Sequence, residues 1–278
     1  MATVIRKRAW TQTQPNADRS RPLADGLARY REQLLIPLTA VAAIVAWDLI
    51  VRWGNYPPFI LPSPWTVWMR FLAAVADGTL WRHAQITLIE IADDLALGLS
   101  TALLTGYGLA KSPLLERMLS PYIVAAQAVP VVAVAPLLLI WFGFGALSKM
   151  LVCALTIFFP MVVNTIIGIR SVEPDLVALM RSLRATRWQM FRLLEVPAAL
   201  PVLFGGLKVA MTLAVIGAVV GEFVGADRGL GFLLNLARGV LDTPLLFVAL
   251  FTLVAIALGL YLATSWLELW LLRWQRET

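Results

Sequence analysis

The sequence predicts an all-α integral membrane protein of about six transmembrane helices, and three observations carry that prediction. Of 278 residues, 60% are hydrophobic and only 14% charged, whereas soluble domains carry about 25% charged residues. Apolar runs recur at the length of about 20 residues that a helix needs to cross a bilayer. One long polar break, Arg170 to Pro201, interrupts them and holds five arginines, Arg170, Arg181, Arg184, Arg187 and Arg192.

The first 33 residues are basic and polar, with Arg6, Lys7, Arg8, Arg19, Arg21, Arg29 and Arg31. No apolar core with a small-residue cleavage site follows Met1, so the segment reads as a disordered cytoplasmic arm and not a signal peptide. Six spans follow within residues 34–272, at Leu34–Val51, Gln85–Ala110, Met118–Trp141, Lys149–Ile169, Val202–Val224 and Leu245–Leu272. The second is unusual in carrying Glu90, Asp93 and Asp94, which read as hydrated if the span begins later. Residues 273–278 form a tail.

Charge asymmetry orients the bundle. With the N-terminus inside, sixteen lysines and arginines fall in the arm, the segment at Lys111 and Arg117, the 170–201 loop and the tail, against six outside. Both termini and the arginine-rich loop are therefore expected in the cytoplasm. The net charge of +6 serves this topology and not nucleic-acid binding. Outside, the proline-rich Asn55–Pro64 forbids regular helix, and Trp65 to Leu80 reads as a short helix along the interface, with Trp65, Trp68 and Phe71 in lipid.

Inside the spans, Gly217-x-x-x-Gly221-x-x-x-Gly225 forms a small-residue ladder that permits close helix packing, and Gly98, Ala102 and Gly106 form a second. Pro130 and Pro136 interrupt the third span. A broken helix is tolerated where it faces protein or a watery cavity, which makes Pro130 and Pro136 candidates for a moving, pathway-lining element. Asn164, near Pro160 in the fourth span, joins them. Ionisable residues within spans are functional candidates by default, here Lys208 and Glu222, although Lys208 can snorkel and Glu222 can sit hydrated at the outer interface.

The arginine-rich loop, read as a helix from Asp175, places Leu176, Leu179, Met180 and Leu183 on one face with Arg181 and Arg184 beside it. Pro197 and Pro201 are expected to end it. Such a helix either docks a partner or lies flat on anionic lipid. The chain has no nucleotide motor: Gly106 to Ser112 lacks the glycine that a phosphate loop needs before its lysine, since Ala110 stands there. One cysteine, Cys153, and one histidine, His83, exclude a cysteine or multi-histidine metal centre. No catalytic residue, metal or cofactor is expected in this chain.

Arg181 to Phe191 and Val196 to Pro201 resemble the coupling segment of membrane subunits of binding-protein-dependent ABC importers. Leu139 to Gly145, Phe158 to Thr165, Gly168 to Val172 and Ile60 to Pro64 are similar to the nitrate, sulfonate and taurine branch. Gly221 to Gly231 with Leu241 to Leu245 looks more like members handling thiamin-pyrimidine precursors or riboflavin. Two departures stand out. Where the family has Glu-Ala-Ala, this chain has Ala178, Leu179 and Met180, and Arg184 stands at the usual glycine.

The resemblance implies a type I ABC importer permease fold with a cytoplasmic coupling helix, in the bacterial inner membrane. It implies coupling residues at Leu176, Ala178, Leu179, Met180, Leu183, Arg184 and Trp188, and two partner ATPase subunits that hold the ATP and magnesium. It also implies a second permease copy, forming a homodimer, and a soluble binding protein that delivers the solute. A neutral heterocycle is the favoured solute, and nitrate, a sulfonate or taurine the next. The rival from residues alone is a self-contained secondary transporter or channel.

Overall fold

The computed structural model describes residues 21–273, and all regular elements among them are helices. Residues 1–20 of the arm and 274–278 of the tail lie outside the described residues. The chain divides into two units, 1–55 and 56–278. The first consists of α1 (Arg21–Gly54), a 34-residue helix that begins inside the segment expected to be a disordered arm. Its stretch Pro37–Gly54 is long and apolar enough to cross a membrane, and Arg52 pairs with Asp48 one turn away at 2.6 Å.

The second unit runs from α2 (Pro64–Ala76) through α3 (Thr79–Lys111), α4 (Pro113–Gln127), α5 (Val131–Phe142) and α6 (Ala146–Arg170). Then come the short helices α7 (Pro174–Ser182) and α8 (Arg187–Met190), a π-helical turn at Phe191–Glu195, α9 (Val196–Gly225), α10 (Leu230–Gly239) and α11 (Thr243–Leu271). Ser63 starts α2 by accepting the Thr66 backbone N–H at 3.2 Å, with Pro64 at the first helical position, where its missing N–H costs nothing. This helix ends at Ala76, short of the expected Leu80, because Gly78 takes a left-handed φ of 75° and turns the chain into α3.

Helix α6 is the centre of the bundle, and the glycine rows of α3 and α9 both close on it. A side chain at Gly106 would reach within 2.6 Å of Thr165, and one at Gly217 within 2.8 Å of Cys153, so both backbones touch α6 as only glycine allows. Along the same ladder Gly221 lies against Lys149 of α6 and Gly225 against Leu139 of α5. Ala135, Leu138, Val152 and Val220 fill the wedge between α5, α6 and α9.

Among the described residues four helices are long and apolar enough to cross a membrane, and five if the bent pair α4 and α5 counts as one. The pair bends by 98° at the break before Val131, where Pro130 stands. The second expected span, Gln85–Ala110, corresponds to α3, which is 33 residues long but is kept out of that set by its polar residues. Of its acidic residues Glu90 and Asp94 turn toward the bundle, while Asp93 is exposed. Helix α9 likewise departs from expectation: it starts at Val196, with Pro197 in its first turn and Pro201 inside it. Neither proline ends the arginine-rich helix, which stops earlier, at Ser182.

Candidate functional site

The arginine-rich segment folds as two short helices joined by a fixed turn. Helix α7 closes with two backbone bonds, Arg184 N–H to the Arg181 carbonyl at 3.0 Å and Ala185 N–H to the Met180 carbonyl at 3.0 Å. Together these make a Schellman closure, which requires a left-handed residue after the last turn. Arg184 is that residue, with φ of 53°. The position at which the sequence lacks the family's glycine thus keeps the backbone conformation that a glycine serves. Beyond it Thr186 and Gln189 cap one another: Gln189 N–H donates to Thr186 Oγ1 at 3.2 Å and Thr186 N–H to Gln189 Oε1 at 2.8 Å.

On this frame Leu176, Leu179 and Leu183 are exposed, at 42%, 54% and 70%, and so is Trp188 at 65%. Ala178 is exposed and Met180 half-buried beside them. An uncovered apolar row on a locked turn, with arginines beside it, is the kind of surface that meets a protein partner or a membrane.

The π turn joins that surface to α9. Val196 N–H reaches back five residues to the Phe191 carbonyl. This wider turn makes room for the ring of Pro197, which would meet the carbonyl four residues behind it in an α-helix. The turn swings Glu195 inward, where it is 6% exposed, pairs with Lys111 and accepts the Tyr107 hydroxyl at 3.2 Å. Tyr107 in turn packs edge-on against Phe191 at 5.2 Å between ring centres. The end of α3 is therefore tied to the residues just after α8. At the same end Arg170 of α6 pairs with Glu116 of α4. Sequence reasoning gives Lys111 only a part in the charge asymmetry and in the rejected phosphate loop, and gives Tyr107 and Glu195 none; a lone glutamate flanking an apolar run is the available signal.

At the opposite end of the bundle Glu222 is 1% exposed and not hydrated. Its carboxylate accepts the Thr87 hydroxyl at 2.7 Å and the Gly231 N–H. Thr87 Oγ1 also accepts the Leu230 N–H at 2.8 Å, and His83 Nδ1 accepts the Gly229 N–H at 3.1 Å. Three successive backbone donors at the start of α10 are thus satisfied by α3 and α9, which is the accounting that every buried helix start requires. Glu90 of α3 pairs with Lys149 of α6 nearby. Asp94 is buried against Cys153, and Asp93 is exposed. Beside this node Asp242 caps α11 through the Leu245 N–H at 3.1 Å and pairs with Arg70 of α2 at 2.9 Å.

The remaining candidates are not gathered into one site. Pro130 lies at the elbow of the broken span and Pro136 within α5, both exposed. Asn164 donates to the Pro160 carbonyl at 2.8 Å and packs against Gly206. Lys208 of α9 pairs with Glu268 of α11 and does not snorkel free. A cavity of about 380 Å³ lies at the elbow, bordered by Gln127, Val131, Thr156 and Phe159.

Residues 96–277 match the family described as binding-protein-dependent transport system inner membrane component. The chain is 47% identical over 265 residues to the riboflavin transport system permease protein RibX of Chloroflexus aurantiacus, covering 95% of this chain and 98% of that one. It is 35% identical to the formylaminopyrimidine transport permease protein ThiX of Halalkalibacterium halodurans, covering 84% and 96%. A solved amino acid ABC transporter with histidines superposes with a TM-score of 0.56 at 20% identity, over 73% of this chain and 97% of that one. That likeness concerns the fold, which is the type I ABC importer permease fold. Uncovered apolar row, glycine-packed helical bundle and family match agree, and the chain belongs to the inner membrane components of binding-protein-dependent transport systems, as the permease subunit of an ABC importer.

Proposed function

We propose that this chain forms half of a translocation pathway for a neutral heterocyclic solute, riboflavin or a thiamin-pyrimidine precursor. A soluble binding protein delivers the solute from outside. A second copy of the chain completes the pathway. Two ATPase subunits, which hold the ATP and magnesium, dock on the α7 and α8 surfaces, and the chain itself binds no cofactor and does no chemistry. The excess of lysine and arginine on the α7 side supports placing that surface and both termini in the cytoplasm.

The observation that carries the reading is the uncovered row Leu176, Leu179 and Leu183 on a turn fixed by the Schellman closure. Closure of the ATPases on ATP moves this rigid element. The π turn passes the displacement to α9, and the Glu195 contacts pass it to α3. The pathway then exchanges between inward-open and outward-open states, a two-state element biased by a ligand bound at a distance. The 98° elbow between α4 and α5, where Pro130 lacks a backbone donor, is a second place where that exchange can bend the chain.

The neutral solute is supported by two facts. The lysines inside the bundle, Lys149 and Lys208, are each spent on a glutamate partner, which leaves no free lysine there, among the described residues, to attract an anion. The 47% identity to a riboflavin permease points the same way. The test is ATP-driven uptake into proteoliposomes containing this chain, its ATPase and its binding protein. Uptake of riboflavin or a formylaminopyrimidine, abolished without ATP, is expected. Uptake of taurine or nitrate alone would overturn the substrate. Uptake that runs on an ion gradient without the ATPase would overturn the importer.

A further inference from the structure

Between the last turns of α3 and α6 and the first turn of α9 lies a cavity of about 630 Å³, closed on one side by α8. Its size is that of a small-molecule site, which typically spans about 300–1,000 Å³. Leu103, Leu104, Val196 and Leu203 supply apolar wall, and Arg187 and Trp188 stand at its edge. Leu104 is 76% exposed, so the cavity opens sideways along the flank of α3. In an embedded chain that flank faces acyl chains, and the site is entered from the bilayer.

The charge at the edge is uncompensated. Lys111 and Glu195 neutralise one another close by, no acidic residue lines the cavity, and the Arg187 guanidinium has no ion-pair or hydrogen-bond partner among the described residues. A guanidinium offers phosphate a planar fork of donors, and a tryptophan beside it suits the headgroup level of a membrane. An apolar slot with one unpaired arginine and one indole at its edge matches a ligand that is a phosphate at one end and a hydrocarbon chain at the other.

We propose that this cavity binds one anionic phospholipid, with its phosphate on Arg187 beside Trp188 and an acyl chain along Leu103, Leu104 and Leu203. The proposal rests on the membrane placement given under Proposed function and is independent of the solute. Phe191, the first residue of the π turn, is part of the same wall. Lipid occupancy therefore restrains the segment through which α8 moves α9.

The experiment uses the full chain with its ATPase in uncharged detergent, titrated with phosphatidylglycerol or phosphatidylcholine and read by native mass spectrometry. One phosphatidylglycerol per permease chain, held about tenfold better than phosphatidylcholine, is expected from one charge-assisted contact. Arg187→Gln should erase that preference. Leu103→Trp, which fills the slot, should expel both lipids while the thermal midpoint and ATPase copurification persist. Equal retention of the two lipids, or a preference untouched by Arg187→Gln, would overturn the site. Displacement of phosphatidylglycerol by inorganic phosphate at comparable concentration would make it a free-phosphate site and overturn the lipid. Protection of Arg187 from an arginine-modifying reagent by ATPase alone, in lipid-free micelles, would assign the arginine to the partner. Loss of ATPase copurification in the unmodified chain would instead count against the importer.

Discussion

Glu222 separates a structural from a chemical role for an acidic residue inside a membrane bundle, and two substitutions decide between them. Glu222→Ala leaves the Gly231 N–H buried without an acceptor. The Thr87 hydroxyl, by contrast, retains the His83 carbonyl at 3.3 Å as a partner. An orphaned buried donor costs about 1–3 kcal/mol, and the void left by the side chain adds about 1–2 kcal/mol. The sum, about 2–5 kcal/mol, corresponds to a fall in thermal midpoint on the order of 10 °C.

Glu222→Gln behaves differently on the same geometry. Its Oε1 can accept the Gly231 N–H while its amide donates to the free lone pair of Thr87 Oγ1, which already accepts from Leu230. The cost then stays within about 1 kcal/mol. The assay is a thermal midpoint in detergent, with amide hydrogen exchange at Leu230 and Gly231 as the local readout. Exchange should rise in the alanine variant and stay near normal in the glutamine variant, and solute uptake per folded complex should survive Glu222→Gln. Abolished uptake in the glutamine variant, with stability and exchange intact, would mean that the carboxylate titrates during transport and that the capping account is wrong.

Leu179→Asp combined with Leu183→Asp should weaken ATPase copurification by at least about 100-fold, since each buried leucine contributes about 1.5–3 kcal/mol, while membrane insertion is retained. Intact docking would refute the assignment of the surface. Arg184→Gly should change the thermal midpoint little, because relief of about 1–2 kcal/mol of left-handed strain opposes the greater flexibility of glycine in the unfolded chain, about 0.5–1 kcal/mol. Arg184→Val should fail that test and lower ATPase-coupled uptake. Glu195→Ala should raise hydrogen exchange across Phe191–Glu195 and destabilise by only about 1–2 kcal/mol, because Lys111, 43% exposed, regains water when its partner is removed. Gly231→Ala should destabilise by about 1–3 kcal/mol, since its Cβ would lie 2.8 Å from the Glu222 carboxylate.

Spans were legible wherever one residue type sets the local outcome. Long apolar runs identify α6, α9 and α11, and Pro130 marks the break between α4 and α5 because a missing donor acts locally. Glycine spacing announces close approach for the same reason. What stayed hidden depends on partners distant in the chain. Glu90, Asp93 and Asp94 look like a defect in a span until Lys149 and Cys153 are placed beside two of them. Glu222 looks like a hydrated end residue until Gly231 and Thr87 arrive from other helices. Arg184 stands at the position where the family has glycine, and its φ of 53° shows that the left-handed conformation is kept without one. Sequence identity and backbone conformation are separable at that position.

Helix α9, like α3, touches both ends of this arrangement. Its 30 residues span about 45 Å at 1.5 Å per residue. One end grows out of the π turn whose Glu195 holds the tip of α3, and Glu222 in the last turns of the other end holds α10. Between them Gly206, Gly217 and Gly221 bring its backbone against Asn164, Cys153 and Lys149 of α6, with no side chain of α9 itself standing between at those positions. On the proposed coupling, a push on α7 and α8 would find little side-chain slack within α9 at these contacts. It would emerge as motion of the α3, α6 and α9 slab as a unit, or as a change at the joints around it. The π turn and the elbow at Pro130 are those joints, and both sit where a proline has removed a backbone donor. Prolines 197 and 130 thus place compliance at the two edges of a slab that glycine makes stiff.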